Sequence, residues 1–138
     1  DRVLGERPNQ VERQRDDVDS TATDLLDVAS TPGGITEEGL HNNVSVGIQY
    51  LAAWLQGSGA VAIFNLMEDA ATSEISRSQV WQWLRHGRVS REQVERVIDE
   101  EVARLGDGYD EARELFEQVA LGEEFVEFLT LPAYEHID

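Results

Sequence analysis

The feature that most constrains this fold is a stripe of apolar residues recurring every three or four positions between residues 36 and 55. This spacing places side chains on one face of an α-helix, which has about 3.6 residues per turn. Thr36 precedes the stripe and can accept hydrogen bonds from the unpaired amides of a first turn. Gly57 and Gly59 follow it and favour a helix end. The pattern predicts a helix of about five turns, with a buried face of Leu40, Val44, Ile48, Leu51 and Leu55.

Shorter stripes predict more helices. A short helix is expected over residues 20–26, before Pro32, and Ser90 with Gln93 forms a capping box for another. Further helices are expected after residue 108 and from about Gly122 to Pro132. We therefore predict an all-α fold, a bundle-like domain of five or six helices with short loops. The inward residues of the last three helices would be Val94, Val97, Ile98, Val102 and Leu105; then Ala112, Leu115, Phe116 and Val119; then Phe125, Phe128 and Leu129.

The segment between these helices is harder to interpret. Residues 60–64, Ala-Val-Ala-Ile-Phe, could be a strand by composition, but a lone strand would have no partner in this chain. We interpret the run as an extended, buried connector. Asn65 is then a candidate N-cap, which would put Glu68 and Asp69 in the first helical turn, where the helix dipole favours negative charge.

A further helix is expected to restart at Ser76 or Ser78, to bury Val80 and to end at Gly87. Trp83 and Leu84 would also face inward. The stretch from residue 76 to residue 91 holds four arginines and no acid. It could meet phosphate or the carboxylates of a partner, or it could be a solvated helix end whose cations complement the dipole.

Length and charge narrow the possibilities. A chain of 138 residues has the length of one domain. Residues 1–19 are polar and contain Gly5 and Pro8, so they are expected to form a linker or arm, and residues 20–138 the helical domain. The chain begins with Asp1, which favours a piece of a longer protein. A net charge of −17 disfavours nucleic acid as a partner. No apolar run approaches the roughly 20 residues that a membrane helix needs, so we expect a soluble, cytoplasmic protein.

The sequence gives little sign of a metal or nucleophile site. Its three histidines lack the spacing of a helical metal pair and are expected at the surface. Glu68, Asp69 and Glu74 could offer oxygens to Mg²⁺, but this pattern alone is a weak signal. No glycine-rich phosphate loop is present, and there is no cysteine.

The order of residues around these acids resembles the signature of malate synthases. The resemblance rests on residues 65–72, Asn-Leu-Met-Glu-Asp-Ala-Ala-Thr, followed by Glu-Ile-Ser-Arg at 74–77. Residues 46–51, 79–83 and 128–134 are also similar to the family. The similarity covers nearly the whole chain but matches only the C-terminal helical domain of the A-type enzyme, without its TIM barrel. Before the signature, the family's Gly-Cys-Val-Pro-Ile is replaced by Gly-Ala-Val-Ala-Ile at residues 59–63.

The resemblance implies specific roles. Asp69 would be the base that removes a methyl proton from acetyl-CoA, so that the resulting enolate attacks glyoxylate and malate and CoA are released. Met67 would line the channel for the pantetheine arm or pack in the core, and Glu68 would orient the loop. Mg²⁺ would be held by carboxylates of the barrel, so no metal ligand is expected in this chain. The barrel domain would be the partner, and the fragment alone would be inactive. The alternative is a stand-alone acidic interaction or regulatory domain without catalysis.

Overall fold

The computed structural model describes residues 5–6, 8–11 and 14–137. The chain divides into two units, Asp1–Gly34 and Ile35–Asp138. In the first unit, helix α1 spans Ala22–Leu26 and a 3-10 helix spans Val28–Ser30. Thr21 and Asp24 form a capping box at the start of α1, which confirms the short helix predicted before Pro32. The predicted arm at residues 1–19 lies partly outside the described residues, and its connection to a further domain stays a prediction.

The second unit is mostly helical, and the predicted all-α class is confirmed with one addition, a two-stranded hairpin. Among the described residues, no helix combines the length and the apolar character needed to cross a membrane. The elements in chain order are α2 (Glu37–Leu55), β1 (Ala60–Ile63), β2 (Leu66–Asp69), α3 (Ala70–Arg85), α4 (Arg91–Leu105), α5 (Asp110–Leu121), α6 (Thr130–Ala133) and a 3-10 helix (Tyr134–His136).

Helix α2 lies at the centre of the second unit and packs against α3, α4 and α5. Thr36 caps it by accepting a hydrogen bond from the Gly39 amide at 3.0 Å, as the sequence predicts. The capping box of Ser90 and Gln93 at the start of α4 is also confirmed. Each of these helices contributes fully buried apolar side chains to one core, including Val44, Ile48, Leu51, Val80, Val94, Val97, Ile98, Leu115, Phe116 and Val119.

The interpretation of residues 60–69 is wrong in two respects. The apolar run does have a strand partner, because β1 pairs antiparallel with β2, and Ile63 lies opposite Leu66. Asn65 does not cap a helix; it occupies the two-residue turn with Phe64, and both have positive φ angles. A two-residue turn of this kind matches the right-handed twist of the strands that it joins. The acids therefore belong to a strand and not to a first helical turn.

Helix α3 runs without a break from Ala70 to Arg85, so neither Ser76 nor Ser78 restarts a helix. Val80 is buried as predicted, and Trp83 and Leu84 are half-buried. Ser76 lies on the buried face, where an uninterrupted helix satisfies its backbone groups.

The helix predicted from Gly122 does not form. Gly122 is extended and ends α5, and the next helical elements are the short α6, from Thr130, and the 3-10 helix Tyr134–His136. Leu129 is buried as predicted, but Phe125 and Phe128 are exposed. The reason lies in α3 and α4, whose side chains bind the backbone carbonyls of this segment and replace helical hydrogen bonds. We call residues 121–129 the C-terminal strap.

Candidate active site

Asp69 lies where the hairpin meets the long helix. It is the last residue of β2 and the N-cap of α3, and its backbone is extended. One carboxylate oxygen, Oδ1, accepts a hydrogen bond from the Thr72 amide at 3.1 Å. This bond satisfies one of the amides that a helix start leaves unpaired. The strand and the helix together fix where the carboxylate lies.

The second oxygen of Asp69, Oδ2, accepts no hydrogen bond from any residue that the structure describes. The side chain is exposed and lies at a helix N-terminus, which stabilises negative charge. A carboxylate held through one oxygen and open at the other can take a proton from a bound molecule.

Met67 and Asp69 share one face of β2, because side chains alternate along a strand. Directly opposite them on β1 are Ala62 and Ala60, respectively. All four residues are exposed, and the short side chains of the two alanines lie beside the longer side chain of the methionine. Met67 is 73% exposed, so core packing does not explain it. We call these four residues the hairpin shelf.

Glu68 has the opposite orientation on β2. It lies across from Val61 and is half-buried, and its side chain makes no hydrogen bond with the described residues. Its role in orienting the loop stays a prediction.

Tyr50 of α2 was not singled out by the sequence. It is only 2% exposed. Burial raises the pKa of its phenol, and the negative charges of Asp69 and Glu74 raise that pKa further. These effects keep the phenol neutral in the folded domain. Its place on the helix, next to the apolar stripe, resembles that of any core tyrosine, so the sequence carries no signal for this shift in pKa.

Glu74 does not join Glu68 and Asp69 in a metal site. Its Oε2 accepts a hydrogen bond from Arg77 at 2.7 Å, and its Oε1 accepts one from the Leu129 amide at 2.6 Å. Within the part of the chain that the structure describes, no group of three or more histidine or acidic side chains could hold a metal ion.

The arginine stretch of α3 and α4 faces the C-terminal strap. Arg77 is fully buried and donates to the Val126 carbonyl at 2.7 Å. Arg85 donates to the Glu123 carbonyl at 3.2 Å, and Arg91 donates to that of Leu121 at 2.7 Å. Most of this stretch therefore binds the chain's own backbone, and the exposed Arg88 is left facing solvent.

The histidines are not grouped. His41 is half-buried and contacts Glu101 at 2.9 Å, and His136 contacts Glu111 at 2.9 Å. A groove of about 590 Å³ lies beside His41, between the start of α2, the hairpin turn and Arg104 of α4. Asp69 does not line this groove.

Comparison with known proteins explains the motif. Residues 34–137 match the family described as malate synthase, C-terminal. The malate synthase of Streptomyces clavuligerus is 48% identical to this chain over an alignment of 155 positions, which covers 99% of this chain and 28% of that protein. Malate synthase A of Escherichia coli is 40% identical and covers 96% of this chain and 28% of its own length. A Brassica napus relative, named malate synthase, glyoxysomal, is 44% identical over 97% of the chain.

The chain spans 28% of the length of the first of these relatives, so it corresponds to one part of a longer protein. The matched region includes the hairpin, α3 and the C-terminal strap. The family match and the identities together show that the chain belongs to the malate synthase family, as its C-terminal domain.

Proposed function

We propose that this domain supplies Asp69 as the general base for the condensation of acetyl-CoA with glyoxylate, the malate-forming step of the glyoxylate cycle. One observation carries the proposal: Asp69 caps α3 through Oδ1 while Oδ2 stays open on an exposed surface. A base needs a defined position and a free lone pair, and this arrangement provides both.

The reaction can be written around this oxygen. Oδ2 takes a proton from the methyl group of acetyl-CoA, and the electron pair of the C–H bond enters the enolate. The enolate carbon forms a bond to the aldehyde carbon of glyoxylate, whose oxygen becomes an alkoxide and takes up a proton. Water then cleaves the thioester and releases malate and CoA. The hairpin shelf would guide the apolar arm of acetyl-CoA past Met67 towards Asp69.

The family implies a Mg²⁺ ion, but the described residues do not fit one. Both oxygens of Glu74 are engaged, and no other acidic cluster of three is present among the residues that the structure describes. We therefore propose that the ion and its ligands belong to the part of the enzyme outside this chain, a TIM barrel by family resemblance. That barrel would be the partner that covers Asp69 and excludes water. The domain alone would then be inactive.

The test is Asp69→Asn in the full-length enzyme that contains this domain. Asparagine caps a helix about as well as aspartate, so the fold should persist while the proton acceptor is lost. Turnover should fall by at least the roughly 10² to 10⁴ typical of general-base catalysis. Exchange of the acetyl-CoA methyl protons into heavy water should fall with it.

Glu68→Gln is the matched control, because it removes the neighbouring charge on the same strand and should cost far less. If Asp69→Asn keeps near wild-type turnover, Asp69 is only a helix cap and the proposal fails. The alternative of a stand-alone interaction domain would then be favoured. The cytoplasmic location stays a prediction that this experiment does not address.

A further inference from the structure

The polar face of α3 carries a row of side chains that bind the C-terminal strap. Glu74, Arg77, Trp81 and Arg85 recur at intervals of three and four, so they lie along one side of the helix. Trp81 donates from Nε1 to the Gly122 carbonyl at 2.9 Å. The row thus binds the strap from Gly122 to Leu129, running from the far end of α3 towards its start.

Glu74 and Arg77, the two residues of this row nearest Asp69, differ from the other two. The Arg77 side chain is 1% exposed, and it binds Glu74 and two successive carbonyls, those of Val126 at 2.7 Å and Glu127 at 3.4 Å. The Phe125 ring lies 4.2 Å from its guanidinium carbon. The guanidinium donates from Nε and Nη2 at the same time, a geometry that a flexible point charge does not reproduce.

Glu74 is the partner of Arg77 in this contact with the C-terminal strap, and we call these two residues the clamp. Glu74 is five residues beyond Asp69, a rise of about 7.5 Å along the helix. Among the described residues, only Thr72 donates hydrogen bonds to the Asp69 carboxylate, and the Asp69 backbone belongs both to β2 and to the start of α3. The position of the carboxylate therefore depends on the hairpin and on how the first two turns of α3 are held, and the Glu74–Leu129 bond joins those turns to the C-terminal strap.

We propose that Glu74 and Arg77 are positioning residues that hold the start of α3 in place and thereby aim the Asp69 carboxylate at the substrate carbon. This inference rests on the proposed role of Asp69. A reacting group displaced by about 1 Å can lose on the order of 10² in rate without a change in its chemistry. Loosening the clamp should therefore slow proton abstraction while the binding of glyoxylate, which is assigned to the rest of the enzyme, is kept.

The experiment measures Glu74→Gln in the full-length enzyme, well below its melting temperature and normalised to folded protein. Glutamine keeps the shape of the side chain but loses the ion pair with buried Arg77. We expect kcat and methyl-proton exchange to fall about 10- to 100-fold, with the KM for glyoxylate within about twofold. Arg77→Met is the second variant, and Glu74→Gln decides the question if Arg77→Met does not fold.

Arg85→Gln is the matched control. Arg85 makes the same kind of contact with the strap, but it lies 16 residues from Asp69, about 24 Å along the helix. It should lower stability slightly and leave kcat within about twofold. A purely structural clamp would leave kcat per folded enzyme unchanged in Glu74→Gln, or would lower it equally in Arg85→Gln. Either result overturns the inference.

The two proposals can fail separately. If Asp69→Asn abolishes exchange while Glu74→Gln leaves it intact, only the positioning role is wrong. If Asp69→Asn keeps its turnover, the role of Asp69 as a base is wrong, and the positioning role falls with it.

Discussion

Glu74 accepts a hydrogen bond from the backbone amide of Leu129 at 2.6 Å, although 55 residues separate them in the chain. The contact joins the second turn of α3 to the C-terminal strap. It also orients Glu74 so that its other oxygen meets the buried guanidinium of Arg77. The segment that carries the family signature is therefore held by the end of the same domain.

The first prediction concerns the stability of the domain without Arg77. Arg77→Met should lower the free energy of unfolding by about 1 to 3 kcal/mol, the usual effect of leaving hydrogen-bonding groups without their partner, because the Glu74 side chain is 23% exposed and can be solvated. The variant leaves Glu74 without its counter-ion and leaves the Val126 and Glu127 carbonyls without a donor. Chemical unfolding followed by circular dichroism would measure the change.

Arg88→Met is the control, because Arg88 is an exposed arginine just beyond the same helix. It should change stability by no more than about 0.5 kcal/mol. If both variants lose the same free energy of unfolding, the buried contacts of Arg77 stabilise the domain no more than an exposed arginine does.

The sequence alone predicts the helices whose apolar residues recur over several turns. Thr36 and Ser90 are cap residues with short-range partners, so their roles can be seen within four residues of sequence. The buried faces of α2, α4 and α5 follow from spacing alone, since each helix needs only a core to pack against.

The hairpin and the strap could not be predicted in this way. The turn is made by Phe64 and Asn65, and without glycine it lacks the usual hairpin signal. Its second strand holds Glu68 and Asp69, so it does not read as an apolar run. Buried Arg77 depends on carbonyls 49 and 50 residues away, which no local pattern records. The Asp69 role came from family resemblance, and the geometry of its two oxygens came from the structure.

The second prediction concerns Gly47 in the middle of α2. A Cβ atom there would lie 2.3 Å from Phe116 Cε2 and 2.6 Å from its Cδ2, far inside van der Waals contact. Alanine favours the helix by about 1 kcal/mol, but overpacking a core costs about 1 to 3 kcal/mol. Gly47→Ala should therefore be destabilising on balance. Adding Phe116→Leu should recover part of the loss, and a thermal melt that shows no such coupling would contradict the close contact.

The third prediction concerns acid. Glu101 is only 5% exposed, and burial raises its pKa, but hydrogen bonds from Arg104, His41 and Ser45 more than offset this and lower the pKa below its usual 4.5. Because the folded-state pKa is the lower one, the unfolded chain binds the proton more readily. The stabilisation is therefore complete above pH 4.5 and is lost as the pH falls below it.

Glu101→Gln should lower stability near neutral pH and flatten its decline below pH 4.5. Denaturant midpoints measured at a series of pH values would show this. Glu124→Gln removes the same charge from an exposed side chain and should keep the steep decline. An unchanged slope in Glu101→Gln would contradict the assignment.

The last prediction concerns the hairpin turn, where Phe64 has a φ of +50° and Asn65 one of +63°. Such angles are uncommon for a bulky residue and cost about 1 to 3 kcal/mol, whereas asparagine adopts them more readily. Phe64 also makes a stabilising cation–π contact. Its ring centre lies 5.6 Å from the guanidinium carbon of Arg104, and such an exposed contact contributes about 0.5 to 1 kcal/mol. Strain is the larger effect, so Phe64→Asn should stabilise the domain by about 0.5 to 2 kcal/mol.

Asn65→Ala is the matched variant at the neighbouring position, and it should destabilise the domain. Alanine adopts a positive φ less readily than asparagine does, and this substitution removes no strained aromatic residue. Thermal melts of the two variants should therefore shift in opposite directions. If Phe64→Asn is instead destabilising, the Phe64 ring stabilises the turn by more than its backbone strain costs.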